Sequence, residues 1–95
     1  MRSKKYYVYI LSSKHNDVLY IGVTADLSQR LYQHQEKQID GFTKKYNITK
    51  LVHVEEFNSI EAAIIREKQL KKWNRKWKIR LIEQNNPTWE ELDSL

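Results

Sequence analysis

Two β-branched and aromatic runs open the chain, Tyr6 to Leu11 (Tyr-Tyr-Val-Tyr-Ile-Leu) and Val18 to Thr24 (Val-Leu-Tyr-Ile-Gly-Val-Thr), with turn-forming Ser12-Ser13-Lys14-His15-Asn16-Asp17 between them. Side chains of this kind fit a pleated, half-buried surface, and two such runs joined by a short polar segment read as a β-hairpin. Everything that follows must then cover a small sheet. Strand alternation puts Tyr7, Tyr9 and Leu11 on one face of the first strand and Val18, Tyr20, Gly22 and Thr24 on one face of the second. A turn centred between Lys14 and His15 sets Tyr9 opposite Tyr20, with Gly22 leaving that patch open to close approach. Such a pair can equally be an ordinary cross-strand contact over a core.

The cover is helical. Asp26 is placed to cap a helix, with Gln29 three residues on, and Leu27, Leu31 and His34 share one face of a segment running to about Lys37. Gly41 marks a loop, and Ile48 to Phe57 forms a third strand. Asn58, with Glu61 at the third helical position, starts a helix that carries Ile60, Ala63, Ile64 and Leu70 on one stripe and ends near Trp73. Trp77 and Leu81 continue at helical spacing, and the i, i+4 spacing of Trp73 and Trp77 makes both candidate core residues. Asn86-Pro87-Thr88 breaks the pattern before a short terminal helix from Trp89 to Leu92. The order β-β-α-β-α-α gives an α+β fold: a three-stranded, mainly antiparallel sheet flanked by helices, within one domain over residues 1–95.

Composition narrows the chemistry. The absence of cysteine removes disulfides, thiolate metal sites and thiol nucleophiles, so any metal must use oxygen or imidazole ligands. No apolar run approaches the ~20 residues that span a bilayer, and the amino terminus leads into no secretory segment, so a cytoplasmic location is expected. Seventeen Lys and Arg against 12 Asp and Glu leave a net charge of +5, which favours a polyanionic partner, most directly nucleic acid. The charge is concentrated: Lys71, Lys72, Arg75, Lys76, Lys78 and Arg80 fall within ten residues that hold no acid and enclose Trp73 and Trp77. A solvated helix face is the plainer reading of such a run.

Three further residues exceed what a fold alone requires. Arg30 and His34, four apart, lie on one helical surface and can reach one phosphate together, although a surface Arg beside a partly packed His is the plainer reading of the pattern. Arginine offers a fixed, always-charged fork, and histidine titrates near neutrality. Glu67 falls inside the apolar stripe between Ala63 and Leu70, where a carboxylate is seldom found without a partner. Either a salt bridge to a nearby Lys or Arg explains it, or the carboxylate holds Mg²⁺, which needs only one or two protein carboxylates when waters and phosphate oxygens complete its shell. His15 and His53 have no neighbours that suggest more than surface or packing roles.

In order and approximate spacing, Tyr7-Val8-Tyr9, Tyr20-Ile21-Gly22, Arg30, His34 and Glu67 resemble the GIY-YIG nuclease family, and Tyr20-Ile21-Gly22 is its second triplet verbatim. The resemblance covers nearly the whole chain. It is nearest to small stand-alone members, in Tyr-Val-Tyr-Ile-Leu near the start, Arg66-Glu67-Lys68-Gln69-Leu70-Lys71-Lys72-Trp73 in the middle and Asn86-Pro87-Thr88-Trp89-Glu90-Glu91-Leu92 near the end. It implies a Mg²⁺- or Mn²⁺-dependent endonuclease, structure-directed or weakly specific, acting on DNA, with RNA as the alternative substrate. Tyr9 and Tyr20 would orient or deprotonate the attacking water, and Gly22 would keep the surface open. Arg30 would bind the scissile phosphate, His34 would assist proton transfer, and Glu67 would be the sole protein ligand of the metal. Asn86 is the candidate for a late asparagine of the family site, with helix capping as the alternative.

Two departures accompany the match: Tyr7 stands where the family name has Gly, and Val23 follows the second triplet where some nucleases carry a polar residue. Tyrosine, with an ordinary pKa near 10, competes with His34 as the general base. Two readings of other classes stand beside the nuclease. One is a non-catalytic nucleic-acid-binding module that uses Lys71, Lys72, Arg75, Lys76, Lys78 and Arg80 for phosphate contacts. The other is a protein-interaction domain whose basic stretch meets an acidic partner. A protein partner that supplies specificity is also compatible with so small an enzyme.

Overall fold

β1 (Tyr6–Ser12) is the middle strand of a three-stranded sheet of order β2-β1-β3, antiparallel to both β2 (Leu19–Thr24) and β3 (Lys50–Phe57). The computed structural model describes residues 4–36 and 41–92. Its other elements are α1 (Leu27–Gln35), α2 (Gly41–Tyr46), α3 (Ile60–Lys72) and α4 (Arg75–Asn85). The α+β architecture expected from the sequence is present, with one short helix more. As the central strand, β1 is covered on both sides, and Val8 to Ser12 are all buried.

Each face of the sheet has its own core. Val8, Ile10, Ile21 and Val52 pack with Ala63 and Leu70 of α3 and Ile82 of α4. Tyr9, Leu11 and Leu51 pack on the opposite face with Leu27 and Leu31 of α1 and with Ile48. The register of β1 against β3 slips between Ile10 and Leu11: Ile10 pairs with His53 but Leu11 with Leu51. That bulge leaves Val52 as the extra residue, a device that turns side chains relative to a regular ladder.

The hairpin pairs two residues out of the expected register. Ser12 lies opposite Leu19, so Tyr9 faces Gly22 and Tyr20 faces Leu11. The connection is wider than a turn at Lys14 and His15: Ser13 Oγ accepts from the backbone of Asp17 and Val18, and Asn16 takes a left-handed φ of 63°. A slip of two preserves alternation, so the face assignment of every side chain survives.

The ends of helices explain the remaining differences. Asp26 caps α1 by accepting from the Gln29 amide at 3.1 Å, as expected. α1 closes at Gln35, and Lys37 lies outside the described residues. The cap of α3 is Ser59, one residue after the expected Asn58, with its hydroxyl accepting from the Ala62 amide. α2 occupies the segment expected to be a loop after Gly41. It ends in a Schellman arrangement, with Asn47 at a φ of 57° and the Ile48 amide bonded to the Thr43 carbonyl. Residues 89–92 are not helical, because Trp89 sits at a φ of 58° and the Leu92 amide donates to the Leu51 carbonyl, which lays the segment against β3. No helix among the described residues is long and apolar enough to cross a membrane.

Candidate active site

The inward stripe of α1 consists of Leu27, Leu31 and His34, and the third position brings an imidazole onto the sheet instead of an aliphatic group. His34 is buried, and both ring nitrogens have partners: Nε2 stands 3.1 Å from the Tyr9 hydroxyl and Nδ1 stands 3.1 Å from Thr43 Oγ1. Tyr9, His34 and Thr43 thus form a chain across β1, α1 and α2. The Thr43 hydroxyl can donate or accept, so it sets the orientation of the ring in either tautomer. Sequence reasoning did not identify Thr43, which lies nine residues beyond His34 in a segment with no helical pattern of its own.

Gly22 makes room for this chain. A Cβ at that position would lie 2.5 Å from Cζ of Tyr9 and 2.9 Å from Cε1, so the phenol ring crosses the space that a side chain would need. Tyr20 packs beside it, its ring centroid 6.3 Å from that of Tyr9 and 5.3 Å from His34 in an edge-to-face arrangement. Tyr9 has no exposed surface, whereas Tyr20 is half-buried. Of the two phenols, Tyr20 is the one that meets solvent. Arg30, one turn before His34 on α1, is also half-buried and lines a surface depression with Thr24, Asp26, Gln29 and Gln33.

Glu67 stands in the other layer. α3 packs on the sheet face opposite Tyr9 and His34, and the Glu67 carboxylate pairs with Lys71 Nζ at 2.8 Å, so the salt-bridge reading of this residue is realised. Its side chain is nevertheless only 15% exposed. On the helical wheel, Arg66 and Glu67 lie on opposite flanks of the Ala63–Leu70 stripe. Arg66 reaches β3, where its guanidinium holds both oxygens of Glu55 at 2.8 and 3.1 Å. Glu67 consequently occupies the flank turned away from β3, toward the β2 edge that carries Tyr20 and Gly22.

Asn86 is not part of this group. It is buried at the end of α4, where its amide nitrogen donates to the carbonyls of Val52 and Glu90 and its oxygen accepts from the Glu90 amide. The bond to Val52 fastens the terminal segment to β3, and the two with Glu90 close its turn. In the basic stretch, Lys71 is paired with Glu67, Arg75 donates to the Asn16 carbonyl at 2.6 Å, and Lys72, Lys76 and Arg80 are exposed while Lys78 is half-buried. Trp73 packs against the core, but Trp77 is 52% exposed, contrary to expectation. The i, i+4 rule fails because Trp73 is the extended C-cap of α3 and Asn74 starts a new helix.

Histidine 53 has a larger part than its sequence neighbours suggested. It bonds Glu55 at 2.8 Å, completing a His53–Glu55–Arg66 cluster between β3 and α3. Burial opposes ionisation of Glu55, but hydrogen bonds from His53 and Arg66 and the charge of Arg66 outweigh it and lower its carboxyl to about 2.

Among the described residues no three side chains form a metal-binding group. Among the site residues expected from the sequence Glu67 is the one carboxylate, and a single carboxylate suits a hard cation that keeps most of its waters and takes further oxygens from a phosphate.

Comparison with known proteins identifies relatives of the chain. The GIY-YIG catalytic domain matches residues 5–80. A UPF0213 protein of Syntrophus aciditrophicus is 39% identical over 85% of this chain and 93% of its own length. A UPF0213 protein of Natronomonas pharaonis is 35% identical over 81% of this chain and 89% of its own length. The solution structure of a UPF0213 protein from Bacillus halodurans superposes with a TM-score of 0.59 at 29% identity, covering 92% of each chain. With its YIG triplet on an edge strand and a family match over most of its length, the chain belongs to the GIY-YIG nuclease family.

Proposed function

We propose that this protein is a metal-dependent endonuclease that hydrolyses phosphodiester bonds in DNA, directed by structure or only weakly by sequence. The observation that carries the reading is the hydrogen bond between Tyr9 and His34 beneath Gly22, with the half-buried Tyr20 ring packed beside them and Arg30 one helical turn before His34.

Arg30 binds the scissile phosphate and offsets charge that develops on it. Tyr20 presents a hydroxyl to the attacking water. Behind it stands the Tyr9 phenol, and the imidazole at its hydroxyl can take the proton that the phenol gives up. With its proton on Nδ1, His34 donates to Thr43 and accepts at Nε2 from Tyr9, so the two residues act as one relay. Glu67 would hold Mg²⁺ or Mn²⁺, and the bound ion would neutralise charge on the phosphate and leaving oxygens.

Cleavage of supercoiled plasmid and of labelled single-stranded, flap and branched DNA tests this reading, with Mg²⁺ or Mn²⁺, with EDTA, and with Glu67→Ala. Cutting that needs the metal and is lost in the variant is expected. Equal cutting by the variant would overturn the role of Glu67.

A second reading, a nucleic-acid-binding module that does not cut, draws on one observation: Lys71 already occupies the Glu67 carboxylate. It predicts salt-sensitive binding with no cleavage under any of these conditions.

A further inference from the structure

Along α4 the residues opposite buried Ile82 are Lys76, Trp77, Arg80 and Gln84, one continuous row at helical spacing. Trp77 is the anomaly in that row. An indole 52% exposed on a helix surface leaves a large apolar area in water that the fold does not use. The ring meets Trp73 edge to face, with centroids 5.8 Å apart and planes at 88°, so Trp73 is not stacked parallel on it. Trp73 is itself held by the Arg66 guanidinium, 5.1 Å from its ring centroid. Beside the pair runs a groove of about 210 Å³ lined by Trp73, Trp77, Arg80, Leu81 and Gln84. The single acid of α4, Glu83, accepts a hydrogen bond from the Trp89 indole at 2.7 Å.

We propose that Trp77 is a stacking platform for an unpaired nucleobase, with Lys76 and Arg80 contacting the flanking phosphates, so that α4 binds a single strand of nucleic acid. Positive charge alone would suit any polyanion. An exposed aromatic ring beside two cations suits one whose backbone is anionic and whose side groups are flat. Bases inside a duplex have both faces covered by their neighbours, so along a strand it is the unpaired base that can lie on the indole. The inference deepens the nuclease reading, since it selects substrates that contain single-stranded segments.

Binding measured in EDTA separates this proposal from catalysis, because loss of the nuclease activity through Glu67 would leave the result unchanged. The probes are a fluorescein-labelled 15-nucleotide oligothymidylate, the same strand with abasic residues at its centre, a blunt duplex, and polyglutamate as a competitor. The parent protein is expected to bind the thymidylate strand about tenfold more tightly than the abasic one, in the range that base–aromatic stacking supplies. Trp77→Leu loses that factor and no longer distinguishes the two strands. Its salt dependence stays that of the parent, because no phosphate contact has been removed. Trp77→Phe recovers most of the preference, and an unchanged melting temperature shows that the variants fold. If Trp77→Leu bound the thymidylate strand as the parent does, or if the parent bound abasic strand or duplex equally well, the platform would not exist. Displacement by polyglutamate as effective as by unlabelled oligonucleotide would overturn the proposal in favour of an acidic protein partner.

Discussion

The phenol ring of Tyr9 lies across Gly22, so close that a Cβ on the glycine would stand 2.5 Å from Cζ of the tyrosine. Gly22 has no positive φ. The requirement for glycine is therefore steric, not conformational, and it ties the second half of the sequence triplet to the orientation of the buried phenol. Gly22→Ala is expected to lower stability by about 1–3 kcal/mol, the usual range for overpacking, and to abolish cleavage by turning Tyr9 away from His34. Tyr9→Phe in the same background removes the hydroxyl, the atom nearest to the added Cβ, but Cζ and Cε1 remain in place, so only part of the loss is recovered. Thermal melting and plasmid cleavage of the single and double variants check both statements.

Thr43 anchors the far side of the imidazole. Thr43→Val keeps the volume but leaves Nδ1 of a buried His34 without its partner, which costs about 1–3 kcal/mol and loosens the ring. Cleavage should fall by about tenfold, the lower part of what a positioned acid or base contributes, and the pH dependence of the rate should change shape. Thr43→Ser retains the hydroxyl and should restore the profile. A parent-like profile in the valine variant would show that Thr43 only packs.

Much of this arrangement was legible from local pattern. Alternation put Tyr9, Tyr20 and Gly22 on one face, and helical spacing put His34 inside with Leu27 and Leu31, because both depend only on periodicity. Register does not. The pairing of Tyr9 with Gly22 depends on a left-handed Asn16 and on bonds to Ser13 Oγ, and a two-residue slip changes nothing that periodicity can detect. Thr43 was hidden because α2 has six residues and no stripe of its own, although Asn47 after Lys44-Lys45-Tyr46 is the kind of residue that ends a helix in a left-handed turn. Trp77 was misjudged because one residue, Asn74, divides two helices whose combined spacing resembles one. For Glu67, both sequence-level readings named a partner for a half-buried carboxylate, and they compete for the same oxygens.

That competition gives a third expectation. Lys71 Nζ lies 2.8 Å from Glu67 Oε2, and the lysine side chain is 53% exposed. An i, i+4 pair of this kind contributes about 0.3–0.5 kcal/mol, so Lys71→Gln should barely alter stability. A cation bound by Glu67 would share the carboxylate with the ammonium and be repelled by it, so removing the ammonium should lower the half-saturating Mn²⁺ concentration for cleavage several-fold. A rise in that concentration would instead make Lys71 a phosphate contact. Chelation by EDTA should stop cutting by both proteins without shifting their melting temperatures.

The last expectation concerns acid. Glu55 is held at about 2 against an ordinary 4.5 because His53 and Arg66 bond it, despite burial that works the other way. A carboxyl whose folded-state pKa is depressed contributes its full stabilisation above the unfolded value and loses it as the pH falls through the folded one. The loss therefore spans about pH 4.5 down to about pH 2, with an amplitude on the order of 2 kcal/mol once partial exposure of the carboxylate is allowed for. Glu55→Gln should lack this component, so urea denaturation of parent and variant should converge as the pH is lowered from 5 to 2. At pH 7 the variant should be the less stable by a similar amount, with Arg66 left beside a neutral amide. Parallel curves across that range would mean that the cluster between β3 and α3 positions the helix without stabilising it.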